Sequence, residues 1–553
     1  MKKFLKIITI LLVILIVLTS CSNSIREEQD YNDDYISDIP EIDESIMDLN
    51  LEVVSLTDNE IKVKVVSKNN QKNKLELYID STSLNDKREV EIGEIITFKN
   101  LDIDTIYDIT LKNDELVLEE LSLKTFKNTG QEIELFYLID ATNTSEQELK
   151  VDIFGYTNTP DDLLLDRSSL QFIDKPPIIK EERTYFDNNI DFNYNNEIEV
   201  YIKNSDFFKI SYIIDKSLPN RGVGYLDEHY LMTTIDQMLI MPNQKLNNYF
   251  WNGEVDMTID GHFNILPFWE YNLSFTVENN IINFLKDIPR SYLQSSQIFG
   301  FHDYHFNIND KNIEGTDLKV ISEKSLGSAY DIVFQVYEYF TELWGDKPSY
   351  NIDDKYTVML VDDTREIYAG EHDSHQGYAY NHYEEYSNML PHQIYHRWQG
   401  WDRGIEWNWE QEDHGGFWVE GFTDYYSWKV YEDLGYIEGS NPGYDWYESI
   451  RGTEKDIPLL EYKDNEHDWR IIYTKGAIFA YALDKEIQKL SNGDHSLDDL
   501  LKYSWQKYQE EEYQINYEFI LDYLIKDLGI PEIESWWQKY LINNDPVYIE
   551  EWE

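Results

Sequence analysis

The sequence predicts a multidomain protein in which N-terminal β-sandwich modules are followed by an α+β, mostly helical domain. Its 553 residues are enough for about three or four domains of ordinary size. From about residue 46 to residue 313, short strand-like runs alternate with turns rich in Asn and Asp, which is typical of β-sandwiches. From about residue 316, apolar and aromatic residues recur at helical spacing instead.

Acidic residues far outnumber basic ones. The chain has 106 Asp plus Glu residues and 47 Lys plus Arg residues, which gives a formal net charge of −59. This excess argues against nucleic acid as a partner, because nucleic-acid binding needs a basic surface. A hydrophobic content of 42% excludes a disordered acidic chain, and a single cysteine excludes a disulfide framework within the chain.

The first twenty residues have the pattern of a secretory signal. Three lysines lie in the first six positions, an apolar run continues to residue 18, and the motif L-T-S-C follows at 18–21. This motif resembles a bacterial lipobox, whose cysteine is lipidated and becomes the new N-terminus. We therefore predict a lipoprotein signal peptide at 1–20, lipidation of Cys21, and an extracytoplasmic protein that its lipid anchors to the cell membrane. The alternative is a membrane-spanning anchor, although the apolar run is short for one.

An acidic linker and two β domains are predicted next. Residues 21–45 include nine acidic residues and one basic residue, which predicts a self-repelling spacer. Residues 46–128 are predicted to form a β-sandwich, and their motif L-D-I-D-T-I-Y resembles the L-x-P-x-T-x-Y signature of fibronectin type III domains, with Ile103 in place of proline. In such domains the hydroxyl of the tyrosine, here Tyr107, bonds to nearby backbone. Residues 130–315 are predicted to form a second, larger β domain.

Residues 316–553 are predicted to form the helical domain. A strand-bearing part followed by helices is an α+β arrangement. Helices are predicted at 324–344, 384–398, 417–434, 470–490, 496–508, 514–527 and 531–541, with a strand at 356–361.

Histidines are concentrated in one segment of this domain. Six of the twelve lie between residues 372 and 414. His392 and His396 are four residues apart, so on a helix both face one side and can fill two positions of a tetrahedral zinc site. A third ligand is needed, and Glu420 is a plausible one. Asp424, on the same helical face as Glu420, can accept the free N–H of a ligand histidine.

The motifs around these residues resemble those of a known enzyme family. His392 and His396 match the histidines of H-E-x-x-H, E-G-F-T-D-Y-Y begins at Glu420, Y-T-K-G-A begins at Tyr473, and G-E-H-D-S contains Glu371. Together they resemble the glycyl aminopeptidase family of gluzincin zinc peptidases. The G-E-H-D-S motif is one residue shorter than the family's pattern before the Glu and before the Ser.

The resemblance covers roughly residues 130–550 and implies a thermolysin-like catalytic domain at 316–553, preceded by the family's β domain. It implies a peptide or protein substrate and Zn²⁺ as the cofactor. The implied site residues are His392, His396 and Glu420 as zinc ligands, Asp424 as the residue that orients a ligand, Tyr473 as the oxyanion donor and Glu371 as the group that binds the amino terminus of a peptide.

Gln393 stands where the family has the glutamate of H-E-x-x-H. That carboxylate moves protons between the attacking water and the leaving amine, which an amide cannot do. Because Gln393 is not a metal ligand, zinc binding should survive while peptide hydrolysis is weak or lost. Other acids offer a replacement base, although they are better explained as an acidic surface loop: Glu384, Glu385, Glu406, Glu410, Glu412 and Asp413.

Three functions from different classes therefore remain open. The chain is a weak zinc aminopeptidase at the cell surface, a zinc-binding pseudopeptidase that captures peptides or a protein partner, or an adhesion or glycan-binding lipoprotein. The five tryptophans between residues 398 and 418 either line a subsite for a ligand or pack the loop onto the domain. Metal content separates the third function from the other two, and turnover separates the first from the second.

Overall fold

A β-sheet-rich N-terminal part precedes a helical C-terminal region, which confirms the predicted order of the two classes of structure. The predicted signal peptide, Cys21 and the predicted acidic linker lie outside the residues that the structure describes. The structure is a computed structural model and describes residues 49–67, 75–113, 116–127, 132–157, 163–166, 190–193, 199–202, 207–215, 225–234, 238–242, 256–266, 269–273, 277–284, 298–302, 305–348, 355–361, 371–374, 377–380, 387–399, 405, 407, 415–437, 458–461, 471–511, 514–543 and 545.

The first β domain is a sandwich of two antiparallel sheets. Buried apolar residues of both sheets form one core. The hydroxyl of Tyr107 accepts a hydrogen bond from the backbone N–H of Asp102 at 2.8 Å. The strands are β1 (Leu49–Leu56), β2 (Glu60–Ser67), β3 (Leu75–Asp80), β4 (Asn85–Val90), β5 (Ile95–Lys99), β6 (Ile106–Asn113) and β7 (Leu116–Lys124). One sheet has the order β1-β2-β5 and the other has the order β4-β3-β6-β7.

The described residues of the second β domain form three sheets. Its strands are β8 (Glu132–Asp140), β9 (Glu148–Thr157), β10 (Leu163–Asp166), β11 (Ile190–Asn193), β12 (Glu199–Ile202), β13 (Phe207–Asp215), β14 (Tyr225–Leu226), β15 (Tyr230–Thr234), β16 (Met241–Pro242), β17 (Asp256–Asn264), β18 (Glu270–Leu273), β19 (Val277–Glu278), β20 (Ile281–Asn283) and β21 (Ile298–His302). The sheet orders are β13-β9-β8-β17-β20-β19, β11-β12-β10-β16 and β14-β15-β21-β18.

The first sandwich packs directly on the six-stranded sheet of the second domain. Apolar residues of β8 and β9 belong to the core of the first sandwich, and the rings of Phe126 and Phe207 stack with centroids 5.9 Å apart. The buried ammonium of Lys209 donates to the backbone carbonyl of Val53 at 2.7 Å. Apolar burial and polar contacts therefore join the two domains.

A five-stranded sheet opens the third part of the chain. Its strands are β22 (Phe306–Ile313), β23 (Thr316–Glu323), β24 (Lys355–Leu360), β25 (Glu371–Ser374) and β26 (Gly377–Tyr380), in the order β22-β23-β24-β26-β25. β22 and β23 form an antiparallel hairpin whose turn holds Glu314 and Gly315 at positive φ. The predicted domain boundary at 315/316 divides this hairpin. The change from strand to helical spacing marks the start of the first helix, whereas the sheet itself begins one strand earlier.

Helices cover one face of this sheet; the first lies between β23 and β24, and the others follow β26 along the chain. They are α1 (Ala329–Trp344), α2 (Met389–Tyr395), α3 (Phe422–Asp433), α4 (Gly476–Leu490), α5 (Leu497–Glu511), α6 (Tyr517–Asp522) and α7 (Ile533–Trp537). Short 3₁₀ turns occur at Lys324–Leu326 and Leu459–Glu461. Within the described part of the chain, four π-helical turns adjoin the α-helices, at Phe417–Gly421, Ile471–Lys475, Tyr523–Asp527 and Gln538–Ile542.

One large apolar core holds the sheet and the helices together. The apolar face of α1 packs on β23 and on α2, where the rings of Phe340 and Tyr395 have centroids 5.3 Å apart. At the start of α5, the carboxylate of Asp499 accepts a hydrogen bond from the N–H of Ser496, as in a capping box. None of the described helices is both long and apolar enough to cross a membrane.

Candidate metal centre

His392 of α2, His396 directly after this helix and one glutamate of a π-helical turn meet inside the helical region. His392 and His396 lie one turn apart, so both rings leave the same side of the helix. Glu420 comes from the turn Phe417–Gly421, which leads directly into α3. Their exposed fractions are only 4%, 8% and 5%, so their polar atoms are directed at one another within the protein.

The ligand atoms have the spacing of a tetrahedral site. The two Nε2 atoms of His392 and His396 are 3.0 Å apart, and their distances to Oε2 of Glu420 are 3.3 and 3.4 Å. Metal–ligand bonds of about 2.0–2.1 Å at tetrahedral angles require ligand atoms about 3.3–3.4 Å apart. Among the residues that the structure describes, this is the one group of three His, Cys, Asp or Glu side chains that is close enough to hold a metal ion.

The other nitrogen of each ring is held by a hydrogen-bond acceptor. Nδ1 of His392 lies 2.8 Å from Oδ1 of Asp424, and Nδ1 of His396 lies 2.9 Å from the backbone carbonyl of Gln399. Because a carboxylate and a carbonyl only accept, each ring donates from Nδ1 and directs Nε2 at the cluster. With both imidazoles neutral, the two Nε2 atoms, 3.0 Å apart, would present their lone pairs to a shared cation.

The electrostatics of the cluster also favour a positive charge at its centre. Burial alone would lower the pKa of His392, but hydrogen bonds to Asp424 and Glu420 outweigh burial and raise that pKa to about 10. Burial would raise the pKa of Glu420, yet the charge of His396 and the hydrogen bonds to both rings hold it well below its usual range. A divalent cation would satisfy the same carboxylates while leaving both imidazoles neutral.

A close crossing of two π-helical turns places Tyr473 beside the cluster. Gly421 follows Glu420, and Gly476 follows Tyr473 by three residues. A Cβ atom on Gly476 would lie only 2.9 Å from the Cα of Gly421 and 3.2 Å from the Cα of Phe417, so this approach requires glycine. The ring of Tyr473 stacks on that of His392, with centroids 5.9 Å apart and an interplanar angle of 14°.

The remaining predicted site residues differ in how far the structure describes them. Gln393 is half-buried on α2, between the two histidines. Glu371 begins β25, the edge strand of the five-stranded sheet, where its backbone pairs with Tyr380. The candidate replacement bases lie outside the described residues, as does Cys21: Glu384, Glu385, Glu406, Glu410, Glu412 and Asp413.

Three of the five loop tryptophans pack the core. Trp398, Trp407 and Trp418 are completely buried, and the rings of Trp407 and Trp418 have centroids 6.4 Å apart. Trp401 and Trp409 lie outside the described residues. For the three described tryptophans, the packing alternative therefore holds, and their rings form no surface for a ligand.

Two features near the cluster were absent from the sequence prediction. Gln399 contacts His396 through its carbonyl, and the pair Gly421 and Gly476 makes the helix crossing. Both glycines stand inside motifs that were noticed for other residues. The sequence contains no signal for Gln399, because its carbonyl contact depends on the backbone turn after α2.

Comparisons with known proteins show the fold. No protein-family profile and no curated protein matches the sequence. The chain is similar to the crystal structure of an aminopeptidase N family protein from Idiomarina loihiensis, with 13% identity and a TM-score of 0.57, over 75% of this chain and 77% of that chain. An M1 zinc metallopeptidase from Deinococcus radiodurans matches with 12% identity and a TM-score of 0.46, over 76% and 95% of the two chains. On the first comparison, this chain shares the fold of an aminopeptidase N family protein.

Proposed function

We propose that the protein is a zinc-binding, metallo-aminopeptidase-like protein that binds peptides and hydrolyses them weakly or not at all. The observation that carries this proposal is the buried group of His392, His396 and Glu420, with ligand separations of 3.0–3.4 Å and Gln393 between the histidines. Two imidazoles and one carboxylate form a common donor set of catalytic zinc sites.

Each residue of the cluster has a defined task in this function. When bound, zinc supplies a Lewis acid that polarises a peptide carbonyl. Asp424 and the carbonyl of Gln399 hold the two imidazoles in the tautomer that presents Nε2. Tyr473 lies against His392 and donates a hydrogen bond to the carbonyl oxygen of the peptide. Glu371 receives the amino terminus of the peptide at the edge strand.

Gln393 sets the limit on catalysis. An amide binds and orients water but takes up no proton at neutral pH, so the step that needs a general base is slow. Capture of a peptide needs only the carbonyl and amino-terminus contacts. The protein therefore binds peptides with a metal requirement, and turnover depends on whether another acid reaches the site.

Metal analysis and peptide titration test this function together. The full-length protein is expected to hold about one zinc per chain, and His396→Ala is expected to lose it. His495→Ala is the matched control, because His495 lies at the start of α5 and outside the cluster. Calorimetric titration with an unblocked tripeptide should show binding that disappears when a chelator removes the metal. Absence of zinc from the unaltered protein would contradict the proposal and favour the adhesion function.

The parts of the chain before the catalytic region give it a surface location. The first sandwich is a fibronectin type III-like module, supported by its three-plus-four strand order and by the Tyr107 hydrogen bond. Cys21 carries a lipid that anchors the protein outside the cytoplasmic membrane. Cys21→Ala should release the protein from the membrane fraction. If the variant stays there with Met1 still attached, the anchor is a membrane-spanning helix instead.

A further inference from the structure

Gln399 links the two chain segments that carry the metal ligands. It lies in the turn directly after α2, three residues beyond His396, and it is completely buried. Its backbone forms an isolated parallel bridge with Ile405, and the N–H of Ile405 donates to the carbonyl of Trp398 at 2.8 Å. The amide group of a buried glutamine needs a hydrogen-bond acceptor for its nitrogen and a donor for its oxygen.

The backbone of Gln399 contacts the segment that carries the two histidines. Its carbonyl accepts a hydrogen bond from Nδ1 of His396 at 2.9 Å. This bond keeps a proton on Nδ1 and fixes the ring orientation, so that Nε2 of His396 stays directed at Glu420. His392 has a carboxylate in the corresponding position, whereas His396 depends on a single carbonyl of a loop.

The side chain of Gln399 contacts the segment that carries Glu420. Its amide nitrogen donates to the backbone carbonyl of Trp418, two residues before Glu420. Its amide oxygen lies 3.3 Å from the hydroxyl of Tyr395, which donates to it from the last turn of α2. The same side chain therefore ties the end of α2 to the π-helical turn that presents the third ligand.

We propose that Gln399 is a positioning residue of the metal centre. Its side chain holds its own carbonyl in place for His396 and holds the turn of Glu420 at the distance that closes the three-ligand group. This inference rests on the proposed function for its metal, but it also predicts a property of the metal-free protein. Without the side-chain amide, the carbonyl shifts, and the ring of His396 is free to exchange tautomers and to rotate.

Gln399→Met tests the proposal, because methionine keeps the length and volume of the side chain and removes both hydrogen bonds. Gln488→Met is the matched control, since Gln488 donates a comparable partly buried bond to Asp484 away from the cluster. Competition with a chromophoric chelator is expected to show a zinc affinity about 10–100-fold weaker for Gln399→Met. The visible spectrum of the Co²⁺-loaded protein should change in the same variant. Both readouts should remain unaltered in the control.

Nitrogen NMR of His396 in the metal-free protein separates this inference from the proposed function. The unaltered protein should show the Nδ1–H tautomer, and Gln399→Met should show a mixture. If the unaltered protein binds no zinc, the proposed function fails, and the tautomer measurement still decides the role of Gln399. Unchanged zinc affinity, or an unchanged tautomer, in a folded Gln399→Met protein overturns the inference. Should that variant not fold, Gln399→Glu provides the same comparison, because it keeps the shape and removes the donor to Trp418.

Discussion

Gln393→Glu places a carboxylate where the resemblance expects the general base. Gln393 is half-buried on α2, one residue after His392 and three before His396. Glutamate is nearly isosteric with glutamine, so we expect the variant to fold and to bind zinc. A divalent cation in the adjacent cluster favours the ionised form of the new side chain, which is the form a base needs.

The expected gain equals the contribution of one positioned acid–base group, because the rest of the site is already in place. The ligand atoms are within 4.8 Å of one another, and the ring of Tyr473 lies 5.9 Å from that of His392. A positioned base contributes about 10²–10⁴-fold in rate. At about 1.36 kcal/mol per tenfold change, this is roughly 3–5 kcal/mol of activation free energy. The gain should appear in kcat, because the amide and the carboxylate occupy the same space towards bound peptide.

The assay compares hydrolysis of unblocked dipeptides and aminoacyl anilides by zinc-loaded, full-length proteins. Gln538→Glu is the matched control, since it makes the same change at an exposed position of the turn Gln538–Ile542. The assay is repeated after a chelator has removed the metal, which shows whether any activity depends on it, and zinc content is measured for each protein. Only Gln393→Glu should gain turnover.

Two outcomes would refute this reasoning. Robust hydrolysis by the unaltered protein that Gln393→Glu leaves equal or lowers would show that another residue is the base, and Glu406, Glu410 and Glu412 would be replaced first. Absence of activity in both zinc-loaded proteins would show that one carboxylate is not the missing part. Peptide capture would then be the remaining function of the site.

Three further predictions concern the surroundings of the site and the joint between domains. Gly476→Ala should lower the free energy of unfolding by about 1–3 kcal/mol in urea titrations, since its Cβ would crowd the backbone of Gly421. The same change from glycine to alanine at a helix position with open space would instead raise the free energy of unfolding by about 0.5–1 kcal/mol. Asp424→Asn should weaken zinc binding about 10–100-fold in chelator competition, because the ring of His392 loses its charged acceptor, and an unchanged affinity would contradict that role. Burial, with the nearby charge of Asp140, raises the pKa of Glu119 to about 8 from 4.5. Between about pH 4.5 and pH 8, Glu119 therefore ionises in the unfolded chain but not in the folded protein, and the free energy of unfolding of the wild-type protein falls by up to about 5 kcal/mol. Glu119→Gln removes this loss, and its advantage over wild type in urea unfolding should therefore increase between pH 5 and pH 8.

Helical periodicity was enough to bring together the residues that lie on one helix. His392 and His396 are four apart, and their Nε2 atoms do meet. Asp424 is four residues after Glu420, and the two carboxylates contact the two nitrogens of the His392 ring, Asp424 at Nδ1 and Glu420 at Nε2. Periodicity cannot place one helix against another, so the pairing of α2 with the segment of Glu420 required the resemblance between motifs.

Contacts made by backbone across long sequence separations were beyond prediction. The crossing at Gly421 and Gly476 joins residues 55 positions apart through atoms that every residue possesses. The carbonyl of Gln399 serves His396 only because of the turn that follows α2. The loop tryptophans show a related limit, because apolar side chains indicate burial or binding equally well until the packing is known. The predicted domain boundary at 315/316 stays a prediction, and the hairpin of β22 and β23 spans the change from strand spacing to helical spacing in the sequence.

The residues that would bind the metal are distinct from Gln393, the residue at the position of the general base. The metal-ligand geometry depends on Asp424, on Gln399 and on the approach of two glycines, and position 393 contributes no ligand atom to the three-residue group. A change from carboxylate to amide at Gln393 therefore leaves every one of these supports intact. It removes the group that would accept a proton from water but preserves the groups that would bind a peptide carbonyl. The proposed function of metal-dependent peptide binding is consistent with this arrangement, and it predicts that zinc affinity and turnover respond to different substitutions.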